Sequence, residues 1–285
     1  MRTYDNSTTV SLHITDRCNL RCPHCYMKDF SGYENNINIK KAFESVKVLK
    51  PKTLIIYGGE PMLYPNIINQ IFDEFENNMH VVVATNGTIW NKEIYDRAYI
   101  IMVTLESFFF NYSKNRTYTR SQYNNLIKLI DTYKDKLILT HNLYPKNNDP
   151  FYDRMIKLTE LNSNPYPIVD FCEEADFEPN ILQEYNTNLN PLLVPKLRVL
   201  PDGTITKDMR GVYNICKDAS EWKEEYRNKS VPSHDKCKKC EYQYTCPSYK
   251  MFPHFCKDVL DKIDDPHFCK IARWKSNEFK NQKIL

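Results

Sequence analysis

The sequence has no run of about 18 or more apolar residues, which excludes a membrane-spanning helix. Its opening residues, MRTYDNSTTVSLHIT, contain no apolar segment of the kind found in secretory signal peptides. No block of lysine and arginine stands out and the net charge is +3, so charge does not indicate nucleic-acid binding. These absences predict a cytoplasmic protein without a membrane partner. In that compartment the 10 cysteines are expected to be thiols or metal ligands rather than disulfides.

The apolar content of 41%, with 13% aromatic residues, is sufficient for a folded core in a chain of 285 residues. From Thr9 to Cys172, strand-like segments alternate with segments of helical periodicity. Six such units predict an α/β fold with a parallel sheet and right-handed crossovers, curved into a partial (β/α)6 TIM-like barrel. Ligands of such barrels bind at the carboxyl ends of the strands.

The pattern changes after Pro191, where LRVLPDGTIT predicts a β-hairpin with Pro-Asp-Gly at its turn. The remainder is short, rich in lysine and cysteine, and weakly periodic, so we expect it to fold around metal. The predicted domains are therefore a barrel over residues 1–185 and a small cysteine-rich domain over residues 186–285.

Three cysteines lie close together in TDRCNLRCPHCYMKDF, at positions Cys18, Cys22 and Cys25. A 4Fe–4S cluster that only carries electrons has four thiolate ligands, whereas three ligands leave one iron open to a substrate or cofactor. Half of a zinc site, or a group of buried thiols, is the alternative interpretation, because short cysteine motifs recur in many proteins.

The C-x3-C-x2-C spacing, on the loop after the first predicted strand of a β/α barrel, closely resembles the radical S-adenosylmethionine (SAM) superfamily. The resemblance implies a 4Fe–4S cluster held by Cys18, Cys22 and Cys25, whose open iron chelates the methionine part of SAM. It also implies an external electron donor such as flavodoxin or ferredoxin, reductive cleavage of SAM, and hydrogen abstraction by the resulting 5′-deoxyadenosyl radical. His24 occupies the family's aromatic position near the adenine.

Later motifs follow in the family's order, and the resemblance covers roughly residues 8–172. YGGEP matches the GGE motif, in which Gly58 and Gly59 let the backbone approach the ligand and Glu60 accepts hydrogen bonds from the methionine ammonium. ATNG ends the third predicted strand, and VTLES stands where the family often shows Ser-x-Asp. The further SAM contacts implied by these motifs and a downstream arginine are Thr85, Asn86, Thr104, Glu106 and Arg116. The alternatives are an ordinary Gly-Gly turn and, for Arg116, a solvated surface side chain.

The segment CKKCEYQYTCPSYKMFPHFC resembles the SPASM or twitch extension of radical SAM enzymes, which carries one or two auxiliary iron–sulfur clusters. It departs from that pattern because a first cysteine is missing near residues 194–201 and the fourth follows the third after nine residues. The resemblance implies one complete auxiliary cluster on Cys237, Cys240, Cys246 and Cys269, with Cys216 and Cys256 as a remnant pair or as ligands of a second cluster. A structural zinc site completed by His234, His254 or His267 is the alternative.

Cys172 ends the sixth predicted strand and therefore has three possible roles. It can return a hydrogen atom to a substrate radical, as in radical epimerases, or bind a second cluster. A buried free cysteine is the commonest role of a single cysteine.

The resemblance indicates a radical SAM enzyme acting on a peptide or protein, by crosslinking, epimerisation or oxidation. The chain begins at the barrel, without the N-terminal recognition domain of many peptide maturases, so a small molecule, sugar, nucleoside or nucleic-acid base is the alternative substrate. A non-catalytic module with zinc in both cysteine groups is the alternative of another class.

Overall fold

The structure, a computed structural model, describes residues 9–21, 38–104, 119–143, 168–171, 197–207, 214–228, 235–241 and residue 269. Within these ranges the backbone forms a nine-stranded sheet in the order β6-β5-β4-β3-β2-β1-β7-β8-β9. No helix in the described ranges is long and apolar enough to cross a bilayer. The strands are β1 (Thr9–His13), β2 (Thr53–Tyr57), β3 (His80–Thr85), β4 (Ile100–Thr104), β5 (Leu137–Leu143), β6 (Ile168–Phe171), β7 (Leu197–Val199), β8 (Ile205–Thr206) and β9 (Asn214–Cys216).

The first six strands pair in parallel with their neighbours in chain order, and the sheet does not close into a barrel within the described residues. This confirms the predicted partial (β/α)6 architecture. Strand β2 illustrates why the sequence folds in this way: its segment TLIIY is a continuous apolar run, as parallel strands covered on both faces require.

Helices connect the strands and cover one face of the sheet. They are α1 (Ile39–Leu49), α2 (Pro65–Phe75), α3 (Lys92–Arg97) and α4 (Arg120–Thr132). Pro65 stands in the first turn of α2, where its missing N–H costs no hydrogen bond. Thr119 and Gln122 form a capping box that starts α4. Each helix is thus positioned by local sequence signals as well as by its apolar stripe.

The two faces of the sheet differ in composition. The face toward the helices carries the main apolar core, which includes Leu12, Leu54 and Val83. The opposite face holds a smaller apolar cluster of Ile55, Val82, Ile100 and Ile138. The strand register places Ser11 beside Ile55 on this second face, with buried Arg198 on its other side. This second face of the sheet is therefore partly polar.

The predicted hairpin is confirmed and belongs to the same sheet. Strand β7 pairs in parallel with β1 and antiparallel with β8. Gly203 has a φ of +92° in the turn between β7 and β8, a conformation that other residues adopt at a cost. The turn also contacts α1, since Ser45 donates a hydrogen bond of 2.6 Å to the Gly203 carbonyl. The predicted domain boundary at residues 185 and 186 lies outside the described residues.

Candidate cofactor site

The carboxyl ends of β1, β2 and β3 meet at one edge of the sheet. We call the residues that follow these strands, 14–19, 58–60 and 85–88, the strand-end site. Cys18 lies on the first of these segments and its side chain is exposed. Parallel neighbours bring their carboxyl ends to the same edge, so residues about 70 positions apart in sequence become neighbours there.

The two glycines of YGGEP lie directly against the loop that leads to Cys18. Gly59 donates its N–H to the Thr15 carbonyl at 2.7 Å, and Glu60 donates its N–H to the Arg17 carbonyl at 2.8 Å. A Cβ atom on Gly58 would lie 2.5 Å from the Thr15 oxygen, and one on Gly59 would lie 2.4 Å from the Arg17 oxygen. Side chains are thus excluded here because the two backbones touch. The predicted approach of these glycines to a ligand stays a prediction.

The Glu60 carboxylate is fully buried and joins the ends of β2 and β3. Its Oε1 accepts hydrogen bonds from the Met62 N–H at 3.0 Å and the Thr85 hydroxyl at 2.7 Å. Its Oε2 accepts the Asn86 N–H at 2.7 Å. Such bonds offset the cost of burying a charge. Within the described contacts Glu60 is thus a structural crosslink, and its predicted contact with a methionine ammonium stays a prediction.

The charge of Glu60 also affects its neighbour Tyr95. Burial raises the pKa of the Tyr95 hydroxyl, and the nearby Glu60 carboxylate raises this pKa further. The Tyr95 hydroxyl donates a hydrogen bond of 2.6 Å to the Ile89 carbonyl.

Two N–H groups point at the Cys18 sulfur. The Leu20 N–H donates to Cys18 Sγ at 3.4 Å, and the Asn86 side-chain amide donates to the same atom at 3.8 Å. The Asn86 amide also donates to Asn19 Oδ1 at 2.8 Å. N–H donors stabilise a thiolate relative to a thiol. The thiolate is the form of cysteine that binds metal.

A buried histidine and carboxylate lie beneath the loop. His13 Nε2 is 2.8 Å from Asp16 Oδ1, and the two side chains are only 7% and 4% exposed. His13 also contacts the ring of Tyr57 edge-on, with a centroid distance of 6.1 Å. This contact ties the start of the loop to the ends of β1 and β2.

Of the predicted SAM-site residues, the structure brings together Cys18, Gly58, Gly59, Glu60, Thr85 and Asn86. Thr104 ends β4, the strand beside β3, and its side chain is partly exposed. The other predicted residues of this region lie outside the described residues: Cys22, His24, Cys25, Glu106, Arg116 and Cys172.

Sequence reasoning missed three residues of the strand-end site, Asp16, Asn19 and Thr88, and also His13, which ends β1 beside it. Two of them were marked by position, since His13 is a polar residue at the end of an apolar strand and Asn19 follows the first cysteine. Nothing in the sequence marks Thr88 or Asp16, because their contacts depend on the meeting of separate strands.

The predicted ligands of the cysteine-rich region are described only in part. Cys237 and Cys240 lie on and just after a short helix, α5 (Asp235–Lys238), and the Cys240 N–H donates to the Cys237 carbonyl at 3.2 Å. Cys216 on β9 is buried in the apolar core, and Cys269 is partly buried. Cys246 and Cys256 lie outside the described residues. The predicted auxiliary ligand sets stay predictions.

The donor set fits a cluster at the strand-end site as far as it is described. In the part of the chain that the structure describes, no three His, Cys, Asp or Glu side chains gather to hold a metal ion, and two of the three motif cysteines lie outside it. The cysteine that is described has an exposed sulfur supported by N–H donors.

Comparison with known proteins relates this chain to one family. Residues 12–149 match the radical SAM superfamily. Among curated proteins, the chain is 24% identical over 172 residues to the antilisterial bacteriocin subtilosin biosynthesis protein AlbA of Bacillus subtilis, covering 55% of this chain and 38% of AlbA. It is 30% identical over 95 residues to the Fe-coproporphyrin III synthase of Methanosarcina barkeri, covering 32% of this chain and 24% of the synthase. The chain thus spans well under half the length of these relatives.

Solved structures share the fold. SuiB of Streptococcus suis, determined with S-adenosylmethionine bound, superposes with a TM-score of 0.59 at 14% identity, over 85% of this chain and 72% of SuiB. Native anSMEcpe, determined with AdoMet and a peptide bound, superposes with a TM-score of 0.55 at 13% identity, over 93% of this chain and 99% of anSMEcpe. At these identities the likeness concerns the fold alone. The sequence match assigns residues 12–149 of this chain to the radical SAM superfamily, and the shared fold agrees with that assignment.

Proposed function

We propose that this chain is a radical SAM enzyme that binds a 4Fe–4S cluster through Cys18, Cys22 and Cys25 and reductively cleaves SAM. The observation that carries the proposal is the placement of Cys18. Its sulfur receives two N–H donors on a loop that Gly59 and Glu60 hold at the carboxyl edge of a radical SAM domain. When bound, the cluster and SAM would supply a 5′-deoxyadenosyl radical that removes a hydrogen atom from an unactivated C–H bond.

The chain's own residues have three tasks in this proposal. The loop from Thr15 to Asn19 presents the first ligand, and the close backbone contact of Gly58 and Gly59 fixes its path. Glu60 holds β2 and β3 together beneath it. The sheet face that carries Ser11 and Arg198 is proposed to lie toward the substrate and to shield it from water. Thr104, Glu106, Arg116 and His24 are proposed as further SAM contacts.

A peptide or protein is the proposed substrate, with crosslinking, epimerisation or oxidation as its outcome. Support comes from AlbA, a bacteriocin biosynthesis protein, which matches a longer part of this chain than the other relatives named here. Cys172 is proposed as a hydrogen donor to the substrate radical. The cysteine-rich region is proposed to hold one or two auxiliary iron–sulfur clusters, with flavodoxin or ferredoxin as the source of electrons.

A small-molecule substrate is the second candidate. It is favoured by 30% identity over 95 residues to the Fe-coproporphyrin III synthase of Methanosarcina barkeri, and by 26% identity over 93 residues to the GTP 3',8-cyclase of Clostridium perfringens. These matches cover only about a third of this chain. They therefore support the radical chemistry more strongly than they support a particular substrate.

The test is anaerobic purification followed by measurement of iron, sulfide, zinc and SAM cleavage under reduction. We expect a brown protein that forms 5′-deoxyadenosine, and a Cys18→Ala variant that loses about four irons and all SAM cleavage. A Glu93→Ala variant, altered on the exposed side of α3, serves as the control. A colourless zinc protein that does not cleave SAM would contradict the proposal.

The substrate class needs a second experiment. The reduced enzyme is incubated with SAM and a peptide encoded next to its gene, and in parallel with nucleotides and porphyrins. Mass spectrometry then identifies which compound loses hydrogen or gains a crosslink. Modification of the small molecules alone would favour the second candidate.

A further inference from the structure

We propose that Asn86 is a positioning residue for Cys18, which holds the sulfur through a side-chain N–H and holds the loop through Asn19. The first cluster ligand is then fixed before iron arrives, and the Asn86 amide contributes to the reduction potential of the cluster. The inference rests on the proposed function in one respect, namely that Cys18 is a cluster ligand.

The orientation of the Asn86 amide follows from its partners. Asn86 Oδ1 lies 3.0 Å from the backbone nitrogen of Thr88, and a backbone N–H can only donate. This atom must therefore be the oxygen, which places the amide nitrogen toward Asn19 Oδ1 and Cys18 Sγ. Both hydrogens of the amide nitrogen thus have an acceptor.

Three side chains close a ring of hydrogen bonds. The Asn86 amide donates to Asn19 Oδ1 at 2.8 Å, and the Asn19 amide donates to Thr88 Oγ1 at 2.8 Å. The Thr88 hydroxyl completes the ring by donating to Asn86 Oδ1 at 2.6 Å. Each group donates once within the ring and accepts once, so the direction of every bond is determined. Such networks strengthen their members cooperatively.

The ring is attached to the body of the fold on two sides. The Asn86 backbone N–H donates to the buried Glu60 carboxylate. The Asn125 amide, on α4, donates to the Thr88 carbonyl at 2.9 Å. Residues that follow β2 and β3, together with α4, thus hold the ring in place through these bonds. The ring in turn restricts the motion of the loop that carries Cys18.

The consequence for a cluster is electrostatic as well as geometric. Hydrogen bonds to cluster sulfurs raise the reduction potential, because they stabilise the more negative reduced state. Groups that orient metal ligands from outside the coordination sphere change metal affinity by about 10–100-fold when removed. Asn86 acts on a ligand sulfur directly, so both effects are expected from it.

The experiment compares Asn86→Asp with Asn86→Ala, Thr88→Val and the control Asn69→Ala, whose amide bonds an exposed glutamate on α3. Asp keeps the size of Asn86 and the acceptor for Thr88, but it places an oxygen where the donating nitrogen faces Cys18. We expect Asn86→Asp to lose about 10–100-fold in iron affinity against a chelator. We also expect its cluster potential, measured by redox titration with electron paramagnetic resonance, to become more negative.

The order of effects distinguishes positioning from packing. If Asn86 supplies N–H donors, Asn86→Asp is affected more than Asn86→Ala, Thr88→Val is intermediate, and Asn69→Ala matches the wild type. If the Asn86 N–H does not act on Cys18, Asn86→Ala and Thr88→Val retain the wild-type potential and iron affinity, which overturns the inference. These uncharged variants are decisive, because the added negative charge of Asn86→Asp lowers the potential by itself. A wild-type protein that forms no 4Fe–4S cluster overturns the proposed function itself, and this inference with it.

Discussion

The two described cysteine regions are built in opposite ways. Cys18 lies on a loop that is bonded to the ends of β2 and β3 by backbone and buried side-chain contacts. Cys237 and Cys240 lie on a short helical turn, residues 235–241, in which the four-residue helix has no buried residue. The difference indicates that the strand-end site is formed by the fold, and it agrees with the prediction that the cysteine turn needs a metal in order to fold.

Removal of iron should produce the largest difference between the two regions, in the rate at which their amide hydrogens exchange with solvent. In stripped protein we expect amides of the cysteine turn to exchange with solvent freely, because a metal-dependent segment unfolds without its metal. The amides of Gly59, Glu60 and Asn86 should stay protected, since their acceptors belong to the sheet and its loops. Hydrogen exchange followed by mass spectrometry, with and without iron, measures both. Equal loss of protection in the two regions would contradict the distinction.

Glu60→Ala should have the largest mutational effect. It leaves the buried donors of Met62, Thr85 and Asn86 without their acceptor, which costs about 3–5 kcal/mol in the free energy of unfolding. Urea unfolding of the iron-free protein gives this value. Glu93→Ala, which removes an exposed acceptor of Asn69, is the matched control and should leave the free energy of unfolding unchanged. A stable Glu60→Ala protein would show that the carboxylate is not a crosslink.

Gly59→Ala and Gly203→Ala compare a glycine required by a close backbone contact with a glycine required by a positive φ. The first places a Cβ atom 2.4 Å from the Arg17 carbonyl oxygen and should cost about 2–3 kcal/mol while displacing the Cys18 loop. The second adds a Cβ at a φ of +92° and should cost about 1–2 kcal/mol. Only Gly59→Ala should also reduce iron retention at the first cluster, as measured by iron content after gel filtration. Equal iron loss in both variants would argue against a specific role of the Gly59 contact.

Lys238→Met should have the smallest effect. Its ammonium pairs with Asp235 at 2.8 Å, but both side chains are more than half exposed, at 58% and 82%. Exposed ion pairs of this kind contribute little because water screens them. We expect no measurable change in thermal unfolding of the iron-free protein, and a large change would mean that the turn packs more firmly than described.

The sheet and its helices were predictable because their signals are local. The alternation Val10, Leu12, Ile14 and the apolar run of β2 predicted strands that the structure confirms. Pro65 and the turn at Gly203 marked the start of α2 and the hairpin. What periodicity did not predict is that the hairpin continues the barrel sheet beside β1, because strand order depends on pairing between distant segments.

The candidate site was predictable in its residues but not in its contacts. Cys18, the glycines and Glu60 were identified because their motifs resemble those of the radical SAM superfamily. Their partners within the protein were not predicted: Gly59 contacts the loop that leads to Cys18, and Glu60 binds the end of β3. Asn19 and Thr88 were missed because they are 69 positions apart in the sequence, and only the folded chain brings them into hydrogen-bond contact.

The resemblance of the motifs to the radical SAM superfamily indicated the family of residues 12–149. The sequence by itself determined the fold class and the order of the motifs. These depend on side-chain polarity and spacing, which are properties of short segments. Only the tertiary structure decided which groups hold Cys18 in place. Hydrogen bonds between the ends of β1, β2 and β3 arise when parallel strands bring their carboxyl ends to one edge, and no segment contains that geometry alone.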